Sequence, residues 1–380
     1  MRIAKLAGAA ILLTLAAPIA GQAATLSRAP FGQTPSGEAV EAFTLTNAHG
    51  VSATVITYGA TLQSLVAPGR DGVKADIVLG FSDAGAYARN ASYFGSTVGR
   101  VANRIGKGRF TLDGKTYQLA LNDHGLAALH GGATGFDKVV WKVLDTKSNA
   151  SSASVTLGYV SPDGDQGYPG AVTATATYAL DEQNQLTVSY GATTDKPTIV
   201  NMSNHALFNL AGEGSSEGAM GNILTLAADG YTPVDAELIP TGEIRSVAGT
   251  AFDFRKPTAV GDRIRDARDP QLVIGRGYDH NYVLNGKAGA LRLAARLSDP
   301  KSGRTLEILS DQPGIQFYAG NFIDGTLVSK SGKIYRQGDG IALEPQHFPD
   351  APNKPAFAPI RLNPGETYSN RMVFKLSVAK

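Results

Sequence analysis

Apolar and polar residues alternate with period two along most of this chain, and helical periodicity is nearly absent. Val172, Ala174, Ala176 and Tyr178 share one face of a run whose other face is Thr173, Thr175 and Thr177. After the polar turn Asp181 to Gln185, Leu186, Val188 and Tyr190 continue the pattern, so the pair reads as a hairpin. Val51 to Val66, Phe110 to Leu119, Ala153 to Val160, Leu291 to Leu297, Thr305 to Leu309 and Met372 to Val378 are also strand-like. They are rich in Thr, Val, Ile and Tyr, which suit a pleated surface. Asp113-Gly114 is a two-residue hairpin signal. Short helices are expected only near Asp83–Ala88 and Val234–Leu238. Many strands with regular Gly and Pro punctuation predict an all-β sandwich or barrel. No linker or repeat interrupts the pattern. One large β domain is expected over 37–380, preceded by an irregular lead-in at 24–36.

The first residues read as an address. Arg2 and Lys5 form a basic start, Leu6 to Ala20 is uncharged and mostly apolar, and Gly21-Gln22-Ala23 supplies small residues at the first and third places. That is the order of a secretory signal, with cleavage expected after Ala23. The apolar run is shorter than the ~20 residues of a spanning helix. The mature protein is expected to be soluble and exported, and periplasmic if its source has two membranes.

Composition narrows the function. With 35 Lys plus Arg against 33 Asp plus Glu, the net charge is +2. So small a charge gives no electrostatic case for nucleic acid or an anionic membrane as partner. The absence of cysteine excludes disulfides, thiolate metal sites and a Cys nucleophile.

Six histidines remain. His49 and His124 lie in Asn-Ala-His-Gly and Asn-Asp-His-Gly and read as exposed turn residues. His130 opens Leu129-His130-Gly131-Gly132, where paired glycines permit either a close backbone approach to a ligand or a tight bend. His205 stands among Asn201, Asn204 and Asn209 in an otherwise apolar stretch. So many amides need partners, either a polar ligand or a core network. Asp279-His280 precedes the apolar run Asn281-Tyr282-Val283-Leu284. Glu344 ends the run Ile341-Ala342-Leu343 and is fixed by Pro345. Desolvation there would raise its pKa and suit acid–base work. Arg100, Arg104 and Arg109 offer guanidinium forks for hydroxyls or carboxylates, or else form a solvated basic face.

Together these segments resemble the aldose 1-epimerase (galactose mutarotase) family. The resemblance rests on Phe94 to Ile105 with its Gly-Arg-x-Ala-Asn-Arg core, and on Leu129-His130-Gly131-Gly132 followed by Gly135-Phe136-Asp137-Lys138 and Trp141. It continues in Asn204-His205 with Phe208-Asn209-Leu210, in Asp279-His280-Asn281, in Gln312 to Gln316 and in Leu343-Glu344-Pro345-Gln346. Six blocks in family order, spread over 94–353, are specific where any one is weak.

The resemblance implies a single-domain β-supersandwich that interconverts the α- and β-anomers of a free aldohexose without metal or cofactor. By similarity Glu344 is the base and His205 the acid, while Asn103, Arg104, His130, Asp279 and Gln316 bind the sugar. Gln316 is preferred to Gln312 because it alternates with Tyr318 on a strand. The chemistry requires Glu344 ionised and His205 protonated, and Glu344 and Asp279 are expected to raise the protonated share of His205. Three rival readings keep the same residues: a non-catalytic sugar-binding protein, a glycoside hydrolase or lyase using Asp279 and Glu344, and a metal enzyme with His130, His205, Asp279 and Glu344 as ligands.

Overall fold

The alternating segments are strands in the computed structural model, which describes residues 24–90 and 92–379. The expected leader at 1–23 lies outside the described residues. The chain opens with β1 (Thr25–Gln33), β2 (Ala39–Thr46), β3 (Ser52–Ile56), β4 (Thr61–Pro68) and β5 (Lys74–Asp76), an antiparallel sheet in sequence order. The helix α1 (Ala84–Arg89) follows where one was expected, and Asp83 caps it by accepting from the Ala86 amide. Four long strands come next, β6 (Lys142–Ser148), β7 (Ser152–Ser161), β8 (Val172–Asp181) and β9 (Gln185–Thr194). Then come β10 (Ile223–Leu226), β11 (Ala228–Tyr231), α2 (Pro270–Gly275), β12 (Asp279–Leu284), β13 (Arg292–Ser298) and β14 (Arg304–Ser310). The chain finishes with β15 (Gly314–Tyr318), β16 (Ile341–Gln346) and β17 (Tyr368–Val378).

Two expectations fail. Residues 25–33 are not an irregular lead-in: β1 pairs antiparallel with β2 from Thr25↔Thr46 to Gln33↔Ala39. It is an edge strand, mostly exposed, with a bulge between Pro30 and Gly32. An edge strand exposed on both faces has no reason to alternate, which hid it from the period-two signal. Residues 234–238 are not helical. The Asp235 carboxylate accepts from the Glu237 and Ile239 amides, and Val234 bridges Pro240, closing a turn. A helix that was not anticipated, α2, carries Pro270 at its start and Asp269 as its cap.

The largest sheet has nine strands in the order β6-β7-β8-β9-β17-β14-β13-β10, ending in the short strand 258–259. A six-stranded sheet runs from the short strand 207–208 through β16-β15-β12-β11 to 245–246. One continuous apolar core joins all three sheets. It takes Phe43 and Leu65 from the first, Tyr178, Val188, Ile308 and Phe374 from the second, and Tyr282, Ile315, Phe317 and Leu343 from the third. Fully burying one such side chain contributes roughly 1.5–3 kcal/mol.

The six-stranded sheet positions the chemistry. Its alternation sends His280, Tyr282, Ile315, Phe317, Ile341 and Leu343 to one face. Asp279, Asn281, Gln316, Tyr318, Glu344 and Gln346 go to the other. The second face is buried as well, with Glu344 only 1% exposed. A polar, chemically active layer is thus pressed against loops by an apolar layer beneath it.

Candidate active site

Glu344 stands on β16 directly opposite Gln316 on β15, which stands opposite Asn281 on β12. From the loop side, His205 reaches over this row. Its amide donates to the Ser96 carbonyl and its carbonyl accepts from the Gly95 amide, so the 94–98 segment holds it in place. His205 Nε2 lies 3.7 Å from Glu344 Oε1. That is beyond good hydrogen-bond range, so neither group saturates the other. His205 Nδ1 and Glu344 Oε2 have no protein partner among the described residues.

His130 packs edge-on to His205, with ring centroids 5.0 Å apart. Its Nδ1 accepts from the Asn103 amide at 3.1 Å, and its own amide donates to the Asn103 carbonyl. A neutral imidazole whose Nδ1 accepts must carry its proton on Nε2. Burial pushes the His130 pKa well below its usual value, so the ring is neutral and presents an N–H donor to the pocket. A donor N–H is not a metal ligand. His130, His205 and Glu344 do bring potential ligand atoms within 4.8 Å of one another, yet the Asn103 amide fixes His130 in the wrong tautomer for coordination. The metal-enzyme reading loses support from that bond.

Arg104 ties the far side together. Its Nε donates to Asp123 Oδ2 at 2.7 Å and a terminal nitrogen reaches Asp279 Oδ2 at 3.5 Å. Burial works against its charge, but Asp279 and Asp123 outweigh burial and hold it cationic. Asp279 Oδ1 accepts from Gln316 Nε2 at 2.7 Å. Asn103 adopts a left-handed backbone at φ 61° and its Oδ1 accepts from the Arg104 amide, turning the chain so that Asn103 and Arg104 flank His130. All seven residues expected at the site therefore converge in one buried cluster.

The electrostatics depart from expectation. The neighbouring carboxylates do not raise the protonated share of His205; burial dominates and drops its pKa to about 4. Burial, assisted by Asp279 and opposed by Arg104, pushes Glu344 well above the usual carboxylate range. Burial thus disfavours the charged form of each group, and when the pair holds a single proton the opposed shifts place it on Glu344 rather than on His205.

Other candidates divide cleanly. His49 and His124 are exposed, as read from their turns. Asn201, Asn204 and Asn209 form a core network with the His347 backbone, the Gly95 carbonyl and the Asp339 carbonyl, so of that cluster only His205 serves the pocket. Arg100 is neither a clamp nor a solvated cation. It is buried, donating to Ser161 and to the Pro162 and Pro169 carbonyls. Arg109 is exposed beside Gln118. The paired glycines after His130 serve a bend: a Cβ on Gly131, at φ +94°, would sit 1.8 Å from the Gly99 carbonyl oxygen. His280 points to the core face, where its Nε2 meets Gln271 of α2 and its Nδ1 accepts from the Asp279 amide. Gln312 bonds Asp311 and the Ser369 carbonyl, away from this row.

Two site residues escaped the sequence reading. Tyr93 packs at a tilt against both imidazoles, its ring centroid 4.6 Å from that of His130 and 5.7 Å from that of His205. Asp123 anchors Arg104 from the turn beside exposed His124. A lone aromatic before Phe94 and an Asp in a turn carry no distinctive pattern, although the Asp did lie next to a residue already weighed.

A buried acid–base pair ringed by fixed donors and acceptors, on the loop-covered face of a β-supersandwich sheet, defines a carbohydrate-active enzyme. The family described as aldose 1-epimerase matches residues 41–375. Galactose mutarotase from Rattus norvegicus is 46% identical over 93% of this chain and 99% of its own. Aldose 1-epimerase from Escherichia coli strain K12 is 38% identical over 88% of this chain and 95% of its own. The crystal structure of galactose 1-epimerase from Lactobacillus acidophilus NCFM superposes with a TM-score of 0.82 at 32% identity, covering 94% of this chain and 100% of that one. The chain belongs to the aldose 1-epimerase family.

Proposed function

We propose that Glu344 and His205 catalyse the anomeric interconversion of a free aldohexose such as glucose or galactose, as base and acid. Glu344 takes the proton from the anomeric hydroxyl, the C1–O5 bond breaks as C1 becomes a carbonyl, and His205 gives a proton to O5. Rotation about C1–C2 presents the other face, and reclosure returns both protons. No group is transferred and no electrons leave the sugar, so the residues present balance the reaction. The carrying observation is the 3.7 Å gap between His205 Nε2 and Glu344 Oε1 within a buried cluster that includes Arg104, Asp279, Gln316 and the His130 donor. Asp279 and Gln316 accept from sugar hydroxyls, while Asn103, Arg104 and His130 donate.

The pair needs one proton in total. Ring opening uses the arrangement with that proton on His205, a minority form while both groups are buried without ligand. Activity is therefore flat while the pair holds one proton. It falls below about pH 4, where His205 binds a second proton. It also falls above the raised pKa of Glu344, where the last proton leaves. Polarimetry of fresh α-glucose and α-galactose tests the assignment. Glu344→Gln and His205→Asn should each lose about 10²–10⁴-fold in rate while remaining folded. Full activity in either variant would overturn its role.

Export is part of the same reading, supported by Arg2, Lys5, the apolar run Leu6 to Ala20 and Gly21-Gln22-Ala23. The protein then acts on sugars before uptake, in the periplasm of a double-membraned cell. N-terminal sequencing of the cell-fractionated protein should read from Ala24. A cytosolic protein retaining residues 1–23 would refute export.

A further inference from the structure

The site-facing side of the six-stranded sheet holds more polar atoms than the catalytic reading uses. Glu344 Oε2, Gln316 Oε1 and both carboxamide atoms of Asn281 and of Gln346 have no hydrogen-bond partner among the described residues. Asn281 is 1% exposed and Gln346 is 0% exposed. Register places these groups together. Asn281, Gln316 and Glu344 lie opposite one another across β12, β15 and β16, and Gln346 lies opposite Gly314 on the same face. Directly opposed side chains start only about 4.5–5.5 Å apart. The lack of a side chain at Gly314 lets the Asn281 carboxamide and the Phe348 ring close over it: a Cβ there would sit 2.5 Å from Asn281 Oδ1 and 2.9 Å from the Phe348 ring. Leaving two whole carboxamides dry and unpaired is strongly unfavourable. An ordered water requires about 2–4 polar partners, and this row offers enough.

We propose that the row beside Gly314 is a binding site for ordered water, held by the Asn281 and Gln346 carboxamides, which donates a hydrogen bond to Glu344 Oε2 and favours the carboxylate form of the base. Asn281 and Gln346 are then positioning residues. The charged and titratable groups facing Glu344 are Asp279 from β12, Tyr318 from β15, Arg104 from the strand Arg104–Gly106, and His205 and His130 from the loops above. Arg104 bonds Asp123 and Asp279, and His130 bonds the Asn103 amide. Among the described residues no protein group donates to Oε2, which leaves that oxygen open to the water. The inference rests on Glu344 being the base.

The test is the pH profile of kcat/KM for α-galactose in wild type, Glu344→Gln, Asn281→Leu and Gln346→Met. Removing a donor from a carboxylate raises its pKa. Each positioning variant should therefore move the alkaline limb up by about one pH unit and lower the flat region about tenfold. Above the limb, variant and wild type should converge, because there Glu344 is ionised in both. A uniform loss at every pH with no displaced limb would reveal a merely structural role and overturn the proposal. An inactive wild type, or a fully active Glu344→Gln, would instead remove the base assignment on which the proposal stands. If the variants fail to fold, a high-resolution crystal structure of the wild type decides. A water within hydrogen-bond distance of Glu344 Oε2 and of the Asn281 or Gln346 carboxamide is expected, and a dry site overturns it.

Discussion

At the scale of single residues, the site works by charge placed where water cannot screen it. Asp279 illustrates both sides of that arrangement. It accepts from Gln316 and pairs with Arg104, and its negative charge helps push Glu344 upward. Asp279→Asn should weaken sugar binding and raise KM. It should also move the alkaline limb of kcat/KM down, because removing a nearby like charge makes Glu344 easier to ionise. An unmoved limb with a raised KM would show that Asp279 contacts sugar but leaves the base alone. The residues of this centre were legible because each sits in a compact, peculiar block, such as Asn103-Arg104, His130 with its glycines, or Glu344 closing an apolar run. Their protonation was not legible. Sequence proximity in a pocket suggested mutual stabilisation of opposite charges, but the burial of His205 at 7% exposure outweighs it. Tyr93 and Asp123 were invisible for a different reason, since each acquires its role only through contacts made across the fold.

At the scale of elements, alternation revealed the strands with one buried and one open face and failed on those without that contrast. β8 shows the clean case, with Val172, Ala174, Ala176, Tyr178 and Leu180 all buried. β1 is the failure, exposed on both faces and bulged at Pro30. Helix α2 was announced by Asp269-Pro270, a cap followed by a first-turn proline, but six residues are too few for periodicity to register. That helix is linked to the site through His280, which joins Gln271 to the Asp279 amide. His280→Leu leaves the buried Asp279 amide unpaired, at a cost of about 1–3 kcal/mol. The pH dependence has a definite sign. Burial holds His280 at about 3 in the folded state, below the ~6.5 of an unfolded chain. The unfolded chain therefore binds more protons in between, and stability is full above about pH 6.5 and lost as pH falls toward 3. Denaturant titrations at pH 7 and pH 5 should show a smaller loss in His280→Leu than in wild type. Equal losses would place the acid sensitivity elsewhere.

At the scale of the whole molecule, the order of the strands is what no local pattern discloses. The hairpin β8–β9 is readable from adjacent residues, but β17 lies between β9 and β14, pairing Leu186 with Phe374 and Leu309 with Val373. Pairings of such sequence separation are set by which exposed edges and apolar faces remain to be covered, not by turn chemistry. A chain ending at Leu362 should accordingly fail to fold cooperatively. Its near-UV circular dichroism should be lost, and a native-like spectrum would disprove the dependence. The position of β17 also imposes a schedule. Synthesis delivers the two halves of the great sheet first, each with a raw edge, and the strip that zips them arrives only after both. The seam is thus a timer: the great sheet cannot close until β17 itself has been made.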